Sequence, residues 1–160
     1  MNEIVLADLS SSEHSKDIIL LLNEYAKDKM GGGSELIEFT KTNLINALRK
    51  RPNCYVVLAY SDRKPAGLAI SFEGFSTFAC SPILNVHDFA VAQEFRGLGL
   101  AKELLTQVEE IARKLGCCKL TLEVLEGNEL AKSVYQKFGF AGYELDPRMG
   151  RAIYYEKKLN

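Results

Sequence analysis

The pattern of apolar and polar positions divides the chain into short strands and amphipathic helices. Apolar residues recur every three or four positions over residues 13–28, 35–50, 98–115 and 128–138, which is typical of helices with one buried face. Short runs of strand type lie at residues 3–7, 55–60, 66–72, 84–91, 119–125, 140–145 and 152–158. This order predicts an α/β fold with one central, mixed and twisted sheet of about seven strands and about four helices.

The bulk properties predict a single domain over residues 1–160 and exclude some function classes. The 160 residues match the size of one domain, and 47% of them are hydrophobic, which is enough for a core. The formal net charge of −1 argues against a nucleic-acid binder that relies on bulk charge. The N-terminus lacks signal-peptide features, and no apolar stretch approaches the ~20 residues of a membrane helix. We expect a cytoplasmic protein without nucleic-acid or membrane partners.

Cysteine and histidine usage argues against a metal site. The four cysteines are Cys54, Cys80, Cys117 and Cys118, and they include no Cys-x-x-Cys pair. The two histidines, His14 and His87, lie far apart in the sequence. We therefore expect reduced thiols and no bound metal.

The segment from Val91 to Ala101 carries the clearest chemical signal. A strand ends, a turn containing Gly97 and Gly99 follows, and the strongest amphipathic helix begins. Free backbone N–H groups at a helix start, together with the helix dipole, bind anions. Glycines let a phosphate approach the backbone closely, and Arg96 adds a positive charge. The segment therefore predicts a pyrophosphate site.

Two widespread pyrophosphate motifs do not fit this segment. A Walker A loop requires Gly-x-x-x-x-Gly-Lys-Ser/Thr, which is absent. A dinucleotide-binding fingerprint requires a third glycine where this chain has Lys102, and no acidic residue closes the unit at the expected distance. An ordinary tight turn is the remaining alternative. The flanking sequence decides between this turn and a pyrophosphate site.

Two motifs in the flanking sequence resemble the hallmarks of the GNAT superfamily of acetyltransferases. The first is Arg96-x-x-Gly99-x-Ala101, which follows a strand ending in Phe89-Ala90-Val91. The second is Asn128-x-x-Ala131-x-x-x-Tyr135-x-x-Phe138-Gly139-Phe140, which follows Leu120-x-Leu122-Glu123-Val124. Their order and separation are similar to the superfamily over residues 55–158, whereas the N-terminal part fits only loosely.

The resemblance implies a GNAT-like fold and transfer of the acetyl group of acetyl-CoA (coenzyme A) to a primary amine, by direct attack in a ternary complex. It also implies that Tyr135 donates a proton to the leaving thiolate. The residues implied to bind the cofactor are Phe89, Ala90, Val91, Arg96, Gly97, Leu98, Gly99, Leu100, Ala101, Asn128 and Tyr135. The alternative for Tyr135 is packing on its helix face, and Asn128 is also a candidate helix cap.

Three residues are candidates for the general base that takes the amine proton. Glu123 matches a glutamate of ribosomal-protein N-terminal acetyltransferases, and an ion pair with Lys119 or Lys132 is its alternative role. His87 and Asp88 stand where polyamine acetyltransferases carry an acidic pair, and histidine at the first position departs from that subgroup. Strand alternation places His87 and Asp88 on opposite faces, so at most one is expected to point into the site.

The acceptor, a small-molecule or peptide amine, is expected to contact two segments. The run of three glycines at residues 31–33 forms a mobile or tightly bent loop between the first two helices. The segment after residue 72 is acidic and aromatic, and the alternative is that it continues as a strand into the core. Gly32, Glu73 and Phe75 are therefore predicted to wall the acceptor pocket, with Glu73 available to bind a cation. The exposed last strand is a candidate for pairing in a homodimer.

Three other functions remain compatible with the sequence. One is a CoA-binding sensor or interaction module of the same fold that has lost catalysis. Another is a nucleotide-binding domain of Rossmann type, and the third is an enzyme that uses a longer acyl-CoA donor. An intact Tyr135 and a suitable base argue against the first.

Overall fold

In the computed structural model, which describes residues 1–159, five strands form one central mixed sheet. The strands are β1 (Asn2–Leu6), β2 (Cys54–Ser61), β3 (Lys64–Ser76), β4 (Ser81–Val91) and β5 (Leu120–Leu122). The first four pair antiparallel in chain order, and β5 adds to β4 in parallel. This architecture confirms the predicted α/β class with a mixed sheet.

Within residues 1–159, four α-helices cover the two faces of this sheet. They are α1 (Ser12–Lys27), α2 (Glu38–Arg49), α3 (Leu100–Lys114) and α4 (Glu129–Phe138). The strongest periodicity in the sequence belongs to α3, which buries Leu100, Leu104, Leu105, Val108, Ile111 and Ala112 on one side. None of the helices in the described part of the chain is long and apolar enough to cross a bilayer.

Alternating side chains of the sheet supply two separate hydrophobic cores. In β2, Val57 and Ala59 belong to the core that α3 covers, whereas Val56 and Leu58 belong to the core that α1 and α2 cover. We call these two sides of the sheet the α3 face and the α1 face. Because both faces are covered, the inner strands read as nearly continuous apolar runs.

The prediction of about seven strands is wrong, because residues 140–145 and 152–158 form no strand. Between residues 140 and 159, the recorded strand-type pairing is a single antiparallel bridge between Glu144 and Arg151. Ile153 and Tyr155 are 72% and 81% exposed. Alternating apolar residues favour a strand only where a neighbouring strand accepts the backbone hydrogen bonds. A single bridge does not supply that partner.

The last half of β4 has a neighbour on one side only. On the first side, β3 pairs with it from Ser81 to Val91. On the other side, β5 pairs with Leu84, Asn85 and Val86, and the Asn85 side chain donates to Thr121 Oγ1 at 3.0 Å. From residue 87 onward the β5 side of β4 is therefore open within the described residues.

Candidate active site

The open side of β4 exposes backbone N–H groups that a neighbouring strand would otherwise bind. The N–H of Ala92, the residue after β4, donates to the carbonyl oxygen of Ala66 at 2.8 Å and therefore points toward β3. Successive N–H groups in a strand alternate between its two sides, so those of Phe89 and Val91 point away from β3. These two donors face the gap that opens where β5 ends.

A cradle of free N–H groups continues from this gap into the start of α3. The N–H groups of five consecutive residues have no acceptor within residues 1–159, namely Gly97, Leu98, Gly99, Leu100 and Ala101. Gly97 and Gly99 both have φ of +83°, in the left-handed region that favours glycine. The cradle also receives the positive end of the α3 dipole, so a phosphate-sized anion fits it.

The Arg96 side chain connects the cradle to two other parts of the molecule. Its Nε donates to the carbonyl oxygen of Val91 at 3.1 Å, at the end of the open strand. Its Nη2 lies 3.4 Å from Asp28 Oδ2, in the segment that follows α1. Arg96 is therefore fixed beside the cradle by contacts on both sides.

Tyr135 of α4 lies against Phe89 of the open strand. The helix is capped at its start by Asn128, whose Oδ1 accepts from the N–H of Ala131 at 3.2 Å, and it ends at Gly139 in the left-handed conformation. The Tyr135 and Phe89 rings meet edge to face with centroids 5.8 Å apart. Burial raises the pKa of Tyr135 to about 12, and nearby Tyr25 adds to the rise. The phenol therefore keeps its proton at neutral pH.

His87 and Asp88 lie on the same face of the sheet, which corrects the expectation from strand alternation. The register of β3 against β4 shifts between Ile70 and Ser71, so that His87 is an extra residue in β4, a β-bulge. The His87 ring packs edge to face on Phe72 at 5.7 Å, on the α1 face. Asp88 pairs with Ile70, which belongs to the same face. The bulge thus turns both side chains toward α1.

Asp88 is half-buried beneath α1, close to Tyr25. Burial raises the pKa of the Asp88 carboxyl above its usual range, and the neighbouring His87 offsets part of the rise. The pKa of Tyr25 is raised by burial first and then by the negative charges of Asp88 and Asp28. Asp88 on the α1 face and Tyr135 beside Phe89 on the α3 face therefore flank the same open edge of β4.

Comparison with known proteins identifies the family. A profile of the Acetyltransferase (GNAT) family matches residues 19–140, which is most of the chain. This chain is a GNAT acetyltransferase. The match confirms the resemblance seen in the two motifs and, with the relatives described next, the prediction of an acetyl-CoA-dependent N-acyltransferase.

The relatives of this acetyltransferase act on different amines. A thialysine N-epsilon-acetyltransferase of Caenorhabditis elegans is 28% identical over 127 residues, which cover 74% of this chain and 79% of the relative. An aminoglycoside N(6')-acetyltransferase type 1 of Acinetobacter genomosp. 13 is 27% identical over 107 residues, covering 64% of this chain and 69% of that one. The structure of AAC(6')-Iy in complex with a CoA-containing bisubstrate analogue has the same fold, with a TM-score of 0.78, 18% identity and 99% coverage of each chain.

Glu123 lies outside the buried part of the acetyltransferase site. It follows β5 directly, and its side chain is exposed. The ion pair considered for it with Lys132 does not form, because Lys132 Nζ binds Glu129 Oε1 at 2.8 Å instead. Among the three base candidates, the structure half-buries Asp88 and leaves His87 and Glu123 exposed.

The three residues predicted to wall the acceptor pocket do not come together. Glu73 pairs with Leu84, whose side chain is on the α3 face, and the Tyr55 hydroxyl lies 3.5 Å from Glu73 Oε2 there. Phe75 shares that face with Glu73 and is 60% exposed. Gly32 lies after α1, whose apolar side packs on the opposite face. Of the three, only Gly32 lies near the open edge, beside the Asp28–Arg96 contact.

Two residues near the site were missed by the sequence analysis. Tyr25 falls within the helix predicted over residues 13–28 without being singled out, and Asp28 carries no signal, because both act through distant segments of the chain. The register shift at the β-bulge is equally invisible without the partner strand.

Within residues 1–159, no group of three or more His, Cys, Asp or Glu side chains is arranged to hold a metal ion.

Proposed function

We propose that this GNAT acetyltransferase transfers the acetyl group of acetyl-CoA to a primary amine by direct attack in a ternary complex. The observation that carries the proposal is the open edge of β4, flanked by a half-buried carboxyl at Asp88 and a buried phenol at Tyr135. Acid and base chemistry on opposite sides of one reacting centre is what amide formation from a thioester requires.

The N–H donors support the fit to acetyl-CoA. Its pyrophosphate matches the anion cradle at residues 97–101, where five donors lack an acceptor in the described chain. When bound, acetyl-CoA supplies an activated thioester. The N–H groups of Phe89 and Val91 can donate to the carbonyl oxygen as it gains negative charge, and such a donor typically contributes ~3 kcal/mol. Ala90, Arg96 and Leu98 belong to the same continuous segment, and Asn128 contributes by capping α4.

Asp88 is the proposed base that accepts the proton of the attacking amine. An ordinary aspartate, with a pKa of ~3.9, is a weak base toward an amine of ~10.4. Burial raises the pKa of Asp88 and narrows this mismatch. His87 and Glu123 are exposed and are not assigned this step. The only role given to His87 is that it partly offsets the rise in the pKa of Asp88.

Tyr135 is the proposed donor to the leaving sulfur. With a pKa of about 12 it stays protonated, so its hydroxyl is ready to donate a hydrogen bond. The same raised pKa makes it a weaker acid than a thiol of ~8.5. Tyr135 therefore stabilises the developing thiolate by a charge-assisted hydrogen bond, and complete proton transfer is not required.

The amine acceptor is proposed to enter from the α1 face, between Asp88 and the loop that contains Gly32. The relatives act on thialysine and on aminoglycosides, which share an unhindered primary amine. Glu73 and Phe75 lie on the other face, so they are not part of this proposed acceptor pocket.

Calorimetric titration with CoA and turnover on an amine panel test the proposal together. The panel contains thialysine, an aminoglycoside, a polyamine and a peptide with a free N-terminus, each assayed for CoA release from acetyl-CoA and from succinyl-CoA. Micromolar CoA binding and turnover of acetyl-CoA on one amine class support the proposal. Absence of CoA binding contradicts the assignment of the cradle, and binding without turnover on any amine contradicts the assignment of the acid and base.

A further inference from the structure

The loop between α1 and α2 is folded around one residue, Asp28. The main-chain carbonyl of Asp28 accepts hydrogen bonds from the N–H groups of Gly31, Gly32 and Gly33 at 2.8, 3.1 and 3.0 Å. Its side-chain Oδ1 accepts from the N–H of Met30 at 2.9 Å. We call residues 28–34 the glycine loop. These contacts make it tightly bent, and a Cβ at Gly31 would collide with the carbonyl oxygen of Tyr25.

The other carboxylate oxygen of Asp28 binds outside the glycine loop. Oδ2 contacts Nη2 of Arg96, while Nε of Arg96 donates to the carbonyl oxygen of Val91. Arg96 directly precedes the cradle of free N–H groups at residues 97–101. A continuous chain of polar contacts therefore runs from the cradle, through Arg96 and Asp28, to the backbone of the glycine loop.

We propose that Asp28 is a positioning residue that couples occupancy of the anion cradle to the order of the glycine loop, and thereby to binding of the acceptor amine. The inference rests on the proposed function, because it takes the pyrophosphate of CoA as the anion and the glycine loop as a wall of the acceptor site. It assigns to Asp28 a role that acts through Arg96 rather than on the reacting atoms.

The guanidinium group of Arg96 has the donors that this coupling needs. Arginine carries five N–H donors in a rigid plane, and Arg96 uses one toward Val91 and one toward Asp28. The remaining donors can bind a phosphate in the cradle without breaking either contact. An anion bound there restricts the guanidinium group, and the restricted guanidinium group in turn fixes the Asp28 carboxylate on which the glycine loop is built.

Multiple bonds to each partner distinguish this ion pair from an ordinary surface pair. Arg96 and Asp28 are 44% and 33% exposed, and a simple pair at such exposure contributes little to stability. The hydrogen bond from Met30, with the Arg96 contact next, lowers the pKa of Asp28, so its carboxylate is charged at neutral pH. Because both side chains are also bonded to the backbone, motion at one is transmitted to the other.

Amide hydrogen exchange resolved by NMR, with CoA as the probe ligand, tests the coupling. In the wild-type protein, saturating CoA is expected to slow exchange at the cradle and also at Met30, Gly31, Gly32 and Gly33, the latter by about fivefold or more. Asp28→Asn keeps an oxygen that accepts from Met30 but removes the charge. In this variant CoA should still slow exchange at the cradle and no longer slow it in the glycine loop.

Two further variants separate coupling from local structure. Arg96→Lys keeps the positive charge and loses the planar group that binds both Val91 and Asp28, so it should also abolish the effect of CoA on the glycine loop. Glu24→Gln is the matched control, since it removes a carboxylate of α1 that pairs with Lys27 and lies outside the chain of contacts. It should behave as the wild-type protein does.

The results distinguish failure of the coupling from failure of the proposed function. If CoA protects the cradle but leaves the wild-type glycine loop unchanged, the coupling is wrong and the proposed function stands. If Asp28→Asn retains full protection of the glycine loop by CoA, the role of Asp28 is wrong. If CoA protects neither segment, the cradle does not bind CoA, and the proposed function fails together with the inference.

Discussion

At the scale of single residues, burial separates Asp88 from the other two candidates for the base. The sequence left all three as candidates, because each carries a titratable side chain beside a family motif. The structure exposes His87 and Glu123 and places Asp88 beneath α1, where burial raises its pKa. A carboxylate in this environment is a stronger base than one in water.

Replacing Asp88 with Asn is expected to lower kcat/KM by about 100-fold to 10,000-fold, the usual loss for a general base. The base acts when ionised, so the rate of the wild-type enzyme should fall as the pH drops through the raised pKa of Asp88. This acidic limb should lie above the ordinary value of ~3.9 and should be absent from Asp88→Asn. Steady-state kinetics across pH provide the measurement.

Two other substitutions provide a control and a test of the alternative base. Glu109→Gln removes a partly exposed carboxylate of α3, paired with Arg113 and remote from the open edge, and should leave the kinetics unchanged. Glu123→Gln tests the competing base. A large loss of activity in Glu123→Gln, with little loss in Asp88→Asn, would show that Asp88 is not the base.

Asp88→Asn is also expected to stabilise the fold at neutral pH. The folded-state pKa of Asp88 is raised, so between the unfolded and folded values the folded protein binds more protons than the unfolded chain. The free energy of unfolding of the wild-type protein therefore falls as the pH rises through this window. Above the window, the loss of stability caused by the ionised Asp88 remains. Urea unfolding should show Asp88→Asn gaining stability relative to the wild-type protein as the pH rises above ~3.9, the ordinary pKa of an aspartate. A variant that is less stable than the wild-type protein at the higher pH would contradict the raised pKa of Asp88.

Replacing Tyr135 with Phe removes one hydroxyl and keeps the ring that packs on Phe89 and Phe140. Loss of a charge-assisted hydrogen bond to the leaving sulfur should lower kcat by roughly 10-fold to 100-fold. The affinity for CoA, measured by calorimetry, should change by less than about twofold, because binding relies on the backbone cradle. Tyr143→Phe, at an exposed tyrosine, is the matched control. Equal losses in both variants would exclude a specific role for Tyr135.

Sequence could reveal site residues only where their role is local. Local sequence is enough to identify Arg96, Gly97 and Gly99, because a strand end, a turn and a helix start follow one another in the chain. Tyr25 is influenced by the charge of Asp88 in β4, and Asp28 contacts Arg96, and both partners are distant in sequence. No periodicity in α1 marks such a role.

At the scale of elements, the start of α3 joins two requirements in one glycine. Gly99 is the residue before the helix, with φ of +83°, and a side chain there would meet no atom within 4 Å. Glycine is therefore needed for its backbone conformation and not for space within the protein itself. The open volume above it belongs to the cradle.

Replacing Gly99 with Ala should lower the free energy of unfolding by about 1–2 kcal/mol, the cost of the left-handed conformation. It should also weaken CoA binding by at least about tenfold, because the Cβ enters the space that the anion needs and the donors shift. Thermal unfolding and calorimetry measure the two effects.

Gly116 provides a matched control at the other end of α3. It has φ of +71° and likewise no atom within 4 Å of a Cβ. Gly116→Ala should therefore show a similar loss of stability with unchanged CoA affinity. If both variants lose CoA affinity equally, the effect of Gly99→Ala arises from destabilisation and the cradle assignment loses its support.

The helices and inner strands could be predicted because each buries a stripe or a face of its own. α3 is the clearest case, since its apolar spacing is unambiguous. The absence of strands at residues 140–145 and 152–158 could not be predicted. An alternating pattern such as that around Ile153 becomes a strand only beside a partner edge. The β-bulge at His87 likewise depends on how β3 and β4 align, which no single segment encodes.

At the scale of the whole molecule, the sheet joins two cores that each support one side of the site. Asp88 belongs to the α1 face, and Tyr135 packs with Phe89 on the α3 face. Strands β2 and β3 contribute side chains to both cores, as Leu68 and Ala69 do on adjacent positions. Disturbing either core should therefore disturb the geometry of the site as a whole.

This arrangement predicts that residues 1–160 unfold as one cooperative unit. Leu104→Ala on the α3 face and Leu68→Ala on the α1 face each remove a fully buried leucine and should each lower the free energy of unfolding by about 2–5 kcal/mol. Hydrogen exchange measured by mass spectrometry along a urea series reports α1 and α3 separately. In both variants the two helices should lose protection at the same urea concentration, because neither core can persist once the strands they share have separated. If α3 opened in Leu104→Ala while α1 stayed protected, the two faces would be separate folding units, and the site between them would depend on their docking.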